Sequence, residues 1–239
     1  FRRQRRMCLR DRIQFYQNPA KAFFVQRWQT RFYPLGQQNS DEEPFAFDGL
    51  DKYQLNERLI QHCLKIDSDN QSEIEPLGID TSTIISSLLH ELKAEGKLPT
   101  GQSGELALRP LVKQSKQLAE QIQQLSQSTS SESVDIELQL NDINLVGRID
   151  NLYGQNLILW RAGKLRAKDR ISLYLQWLCL CAYTSKTGLG QAHFISTEKL
   201  YSLPVIDKQT ALQQLTIWLD CWQLGCDQIL HFYPEAAWQ

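Results

Sequence analysis

Residues 145–165 read LVGRIDNLYGQNLILWRAGKL. The first part continues INLVGRID, 143–150, which has the pattern of a strand. LYGQN, 152–156, turns the chain, and LILW, 157–160, is short and wholly apolar, like a strand buried on both faces. Just upstream, Val134, Ile136, Leu138 and Leu140 alternate with polar residues, and Asn141-Asp142 supplies a turn. Downstream, Leu173, Trp177, Leu178 and Cys181 are spaced for one face of a helix over 170–183. AHFIST, 192–197, predicts a further strand. A last helix is expected from Asp207 to Leu224, with Gly225 as its stop.

Before residue 126 the period is helical. A helix is predicted over 9–17, and Asn18-Pro19 restarts it, with asparagine as N-cap and proline at the first helical position. AKAFFVQRWQTRF then carries a continuous aromatic and aliphatic face, and 34–48 is a loop. Leu55, Leu59, Ile60, Cys63 and Leu64 mark a helix over 50–65, followed by a polar loop over 66–79. A third helix follows Asp80 and stops at Gly96, and a fourth covers 104–126. The organisation read from these patterns is a helical part over 1–125, a polar connector over 126–133 (SQSTSSES) and an α/β core over 134–239, together forming one domain. No internal repeat is present.

The hairpin invites a test for nuclease chemistry. Metal-dependent phosphodiester cleavage needs hard oxygen ligands for Mg²⁺ and a group that orients the attacking water. One economical layout ends a strand with an acid and places D/E-x-K on the neighbouring strand, where residues two apart share a face. Asp150 fits the first acid. Trp160 then stands where the second acid belongs, Ala162 where the lysine belongs, and Arg161 between them falls on the wrong face. No Asp or Glu occurs from 151 to 168, so a shift of register does not help, and Lys164 would lack its acid partner. Asp150 is better read as a turn-capping or ion-pairing residue, with Arg148 its nearest partner.

Other chemistries find little support. Cysteines 8, 63, 179, 181, 221 and 226 include no CxxC pair, which argues against zinc and for reduced thiols packed as small apolar side chains in a cytoplasmic protein. His62, His90, His193 and His231 show no paired metal spacing, and no GxxxxGK[ST] motif occurs. No apolar run approaches the ~20 residues of a membrane span. Phe1 begins the chain and Met7 is the only methionine, so a piece of a longer protein is expected. Net charge is −1, but residues 1–33 carry nine basic residues against one acid, Asp11. A basic arm on an acidic body points to a polyanion or an acidic protein surface as partner.

Four stretches together give a family resemblance: LRDRIQFYQNPAKAFFVQRW, EEPFAFDGLDKYQLNERLI, LKAEGKLPTGQSGE and the hairpin itself. They resemble the C-terminal, nuclease-like domain of RecC, the gamma subunit of exodeoxyribonuclease V (RecBCD). The resemblance implies a restriction-endonuclease-like fold of the PD-(D/E)xK type, a mixed sheet flanked by helices, decayed to a non-catalytic form. Asp150 matches the first acid of active relatives, while Trp160 and Ala162 depart from the other two positions. It further implies RecB and RecD subunits as partners, with Mg²⁺ and ATP used by those subunits and no cofactor in this chain. The role implied is bacterial double-strand break repair and recombination: holding the helicase-nuclease complex together, helping split a duplex fork and guiding single strands.

That reading calls for basic and aromatic residues along a DNA path. Arg161, Lys164, Arg166, Lys168 and Arg170 put five basic residues in ten beside the remnant hairpin, with one acid, Asp169. Arg10, Arg12, Arg27, Trp28 and Arg31 form a second group. Two alternatives are weighed against it. An active nuclease would have to borrow acids such as Glu105 or Glu120 from the preceding helix. A pure protein-interaction module would use the acidic loop 41–43 and tryptophans 28, 160, 177, 218, 222 and 238 as anchors.

Overall fold

A computed structural model describes residues 5–29, 49–69, 92, 102–127, 129–184 and 188–237. Its elements in chain order are β1 (Arg5–Cys8), α1 (Leu9–Gln17), α2 (Pro19–Trp28), α3 (Gly49–Asp69), α4 (Gln102–Ser126), β2 (Ser131–Leu140), β3 (Ile143–Tyr153) and β4 (Asn156–Trp160). There follow α5 (Ala167–Tyr183), β5 (Ala192–Ile195), β6 (Leu200–Leu203), α6 (Lys208–Asp227) and the short α7 (Pro234–Ala237).

The fold is a mixed six-stranded sheet flanked by helices, and β3 is its spine. Along one edge β3 pairs antiparallel with β2 over its whole length, with a bulge between Glu132 and Val134. Its other edge is shared. β1 runs parallel to the first half, with Arg5 opposite Ile143 and Cys8 opposite Val146. β4 pairs with the far end alone, through Leu152↔Leu157 and Tyr153↔Asn156. Beyond that point β4 leaves β3 and runs parallel to β5, which pairs antiparallel with β6.

Alternation along the strands decides which face each helix covers. Ile136, Leu138, Leu140, Leu145, Ile149 and Leu157 turn to one face and form a single core with Phe15 and Tyr16 of α1, the apolar side of α5, and Leu215, Leu219 and Trp222 of α6. Trp177 is fully buried there, and its indole N–H donates to the Pro204 carbonyl at 2.8 Å. Cys179 and Cys181 lie in the same core, where burial pushes the Cys179 thiol up to about 12 and raises Cys181. Such thiols are inert packing groups, and none of the six cysteines forms a disulfide. On the opposite face Ile158, Ala162 and Ile195 meet Ile60 of α3 and Leu118 and Ile122 of α4. The outward residues of β2, among them Asp135, Glu137 and Gln139, are exposed.

Several sequence expectations need correcting. β1 and β6 are strands that no pattern announced. β1 and α1 pack into the same core as the C-terminal strands, so the segment read as purely helical supplies part of the sheet. β2 starts at Ser131, inside the expected connector. Gly225 does not stop α6 but lies buried within it, because a Cβ there would stand 2.5 Å from Phe15 Cζ and 2.7 Å from Leu230 Cδ1. α3 continues to Asp69, past the expected end at 65. Of the helix expected after Asp80 only Leu92 is described, and it is buried beside Leu55 and Leu108. The loop over 34–48, with its acidic residues 41–43, and Trp238 lie outside the described residues. The N-cap of α2 is as expected: the Asn18 side chain accepts from the Lys21 N–H at 3.0 Å. Among the described residues no helix is long and apolar enough to cross a membrane.

Candidate functional site

Where β3 and β4 part, the sheet opens into a cleft, and α1 forms its wall. β1 ends at Cys8 and the chain turns at once into α1, so close to β3 that a Cβ on Gly147 would lie 2.7 Å from Leu9 Cβ. Glycine is required there for the helix to leave the sheet at that point. Four residues on, Asn151 adopts φ 62, a left-handed conformation asparagine tolerates better than most residues. The cleft has a volume of about 430 Å³. α1 contributes Arg10, Gln14 and Gln17, β3 contributes Arg148, Asp150 and Asn151, and α5 contributes Ser172 and Gln176. Leu9, Ile13 and Leu159 give it apolar surface.

Asp150 is committed within this cleft. One of its oxygens accepts from the Ser133 hydroxyl at 2.7 Å and from Arg148 Nε at 3.0 Å. Those bonds, Ser133 first and Arg148 second, hold its carboxyl below the usual carboxylate range. The Arg148 partner expected from the sequence is therefore present. Both side chains are well exposed, so the pair contributes little to stability.

The second and third expected positions fall elsewhere. Trp160 and Ala162 pack on the opposite face of the sheet, with the α3 and α4 side chains. The residue of β4 that lines the cleft with Asp150 is Leu159. Ala162 is buried, and Arg161 turns inward to Asp169 at 3.4 Å, with its guanidinium 5.1 Å from the centre of the Tyr53 ring. Asp169 also accepts from the Arg166 backbone N–H at 3.0 Å, which closes the first turn of α5. Among the described residues no three of His, Cys, Asp and Glu gather where they could hold a metal ion. Glu120 is exposed on α4 and does not line the cleft, and the side chain of Glu105 lies outside the described ones.

The basic residues singled out from the sequence have separate fates. Lys164 pairs with Glu198 at 2.9 Å on the surface, and Arg170 lies 5.3 Å from the Tyr201 ring centre. Arg166 is exposed and Lys168 half-buried. Arg12 lies over the Trp222 ring at 3.7 Å, and burial lowers its pKa. Arg27 and Trp28 are exposed at the end of α2, and Arg31 lies outside the described residues. His193 is buried against Ser202 at 2.8 Å, and desolvation lowers its pKa. Of the described residues in these groups, Arg10 alone reaches the cleft. Gln14, Gln17, Ser172 and Gln176 were not foreseen. Their signal is faint: Arg10, Gln14 and Gln17 recur at helical spacing, as do Ser172 and Gln176, but neutral amides announce no chemistry by themselves.

Comparison with known proteins agrees with the resemblance read from the sequence. A family model described as the RecC C-terminal domain matches residues 4–239. The RecBCD enzyme subunit RecC of Escherichia coli (strain K12) is 25% identical over 227 residues, covering 94% of this chain and 18% of that protein. The same subunit of Haemophilus influenzae is 24% identical over 214 residues, covering 87% of this chain and 17% of the relative. That of Buchnera aphidicola subsp. Schizaphis graminum is 23% identical over 221 residues, covering 92% and 19%. The chain thus spans less than a fifth of the length of these curated relatives. It belongs to the RecC C-terminal domain family.

Proposed function

We propose that this chain is a decayed, non-catalytic nuclease-like domain of a RecC-type subunit. It works in the cytoplasm with RecB- and RecD-type partners in a DNA repair assembly, where it scaffolds the complex, helps split the duplex and guides single strands. The fold is read as a PD-(D/E)xK sheet whose cleft has lost its metal chemistry.

One observation carries this reading. Among the described residues the cleft between the diverging strands keeps a single acid, Asp150, and an arginine occupies that acid. Mg²⁺ takes its protein ligands from oxygens, commonly one or two carboxylates beside substrate phosphates. Asp150 is already neutralised by Arg148, Arg10 stands in the same cleft and Leu159 faces the acid across the gap, so the surplus of negative charge that would draw Mg²⁺ from water is missing. No hydrolytic step is assigned to this cleft.

The test is cleavage of single-stranded and forked DNA by the purified chain with Mg²⁺ or Mn²⁺, beside Asp150→Ala. The expected result is no cleavage above that of the variant. Metal-dependent cleavage that Asp150→Ala abolishes would overturn the proposal.

A further inference from the structure

We infer that the cleft between β3 and β4 is an anion site that takes a phosphate group, held as the phosphodiester of a single DNA strand. This rests on the non-catalytic reading above and gives the cleft a ligand of its own.

The sign of its charge is the starting point. Among the described residues its ionisable lining is Arg10, Arg148 and Asp150, a surplus of one positive charge. A cleft that holds Mg²⁺ needs the opposite balance, because the metal supplies the cation that faces the phosphate. Here guanidinium groups stand in that role.

Donor capacity points the same way. Arg10 is exposed and has no carboxylate partner among the described residues. Arg148 meets Asp150 through Nε, so its terminal amino groups have donors to spare. The Gln176 amide donates to Ser172 Oγ at 3.0 Å, which leaves the Ser172 hydroxyl proton free to donate elsewhere. Gln14 and Gln17 add carboxamide N–H groups one and two turns along α1 from Arg10. Arginine forks joined by neutral side-chain donors are the ordinary means of gripping phosphate oxygens. The volume of about 430 Å³ falls in the range of about 300–1,000 Å³ typical of small-ligand clefts, so a phosphate can enter with part of its sugar. Leu159 and Ile13 offer that sugar apolar contact.

The experiment measures binding of a labelled oligo(dT) strand to the full chain by fluorescence anisotropy across a salt series, with inorganic phosphate as competitor. Arg10→Gln and Arg10→Glu are compared with Lys113→Gln, which changes an exposed cation on α4. Arg10→Gln is expected to weaken binding about tenfold, the size of one charge-assisted contact. It should also flatten the dependence of log affinity on log salt by about 0.7, the value of one phosphate contact on a single strand. Arg10→Glu should weaken binding further, Lys113→Gln should match the wild type, and phosphate should displace the strand. Equal affinity and salt slope in the Arg10 variants would overturn the site and leave the non-catalytic reading standing. Failure of the wild type to bind either probe would overturn it too. Arg10-dependent binding of phosphate without the strand would keep the anion site and remove the strand as its source. Metal-dependent cleavage would instead remove the reading on which the inference rests.

Discussion

Arg161 and Lys164 belong to one basic run in the sequence, yet the Arg161 side chain is 15% exposed and that of Lys164 is 80% exposed. Arg161 pairs with an equally buried Asp169, which also caps the start of α5. Removing Arg161 leaves that carboxylate short of a partner in a partly desolvated place, where loss of a bond to a charged group costs about 1–3 kcal/mol. Lys164→Ala removes a surface pair of a kind worth about 0–1 kcal/mol. Urea unfolding is therefore expected to show Arg161→Ala clearly destabilised and Lys164→Ala nearly unchanged. Equal effects would mean that Arg161 is not the inward member. The run itself was legible because charge is written in the sequence. Its division into inward and outward members was not, since Asp169 and Tyr53 become neighbours of Arg161 only after folding. Asp150 and its Arg148 partner were legible because two residues apart on a strand share a face. Leu159 as their neighbour across the gap was not, because the second position was read from the spacing of a D/E-x-K pattern, whereas Trp160 turns to the α3 and α4 side of β4 and Leu159 to the cleft.

Among the elements, those that announce themselves have length or a local signal. β2 and β3 alternate over many residues, and Asn18-Pro19 marks the start of α2 through a cap that needs no distant partner. β1 and β6 have four residues each and owe their extended form to β3 and β5, so nothing local reveals them. Gly225 shows the same limit in a helix. Read locally it is a stop signal, but Phe15, more than 200 positions earlier, takes up the space where its side chain would be. Two effects oppose each other if it is changed. Replacing glycine by alanine inside a helix gains about 1 kcal/mol. Forcing a methyl group to within 2.5 Å of Phe15 Cζ and 2.7 Å of Leu230 Cδ1 is overpacking, which costs about 1–3 kcal/mol. Phe15 is buried in the main core and has little room to yield. Gly225→Ala is expected to lower the urea midpoint. A rise would show that α1 and the segment after α6 shift apart at small cost.

At the scale of the molecule, two adjacent residues tie its layers together. Leu157 faces the core under α1, α5 and α6, and Ile158 faces the core under α3 and α4, both fully buried. That LILW is apolar throughout was legible as a strand covered on both sides, whereas the order of the strands around it depends on parallel pairings with β5 that no periodicity records. The cleft exists because β4 serves both cores while β3 continues along β1 and β2, so its geometry depends on both layers holding. Ile158→Ala removes side-chain volume where Ile60, Leu118, Ile122 and Ile195 converge, and a buried change of this kind costs about 2–5 kcal/mol. If the sheet transmits that loss to the whole domain, helical circular dichroism and tryptophan emission, which includes the buried Trp177, shift together to lower urea in one transition. If α3 and α4 come away first, the helical signal falls early while the emission holds, and the two layers are separate folding units. The shared strand favours the single transition: Ile158 cannot lose its neighbours without loosening the backbone that also seats Leu157, and with it the wall of the cleft that Leu159 provides.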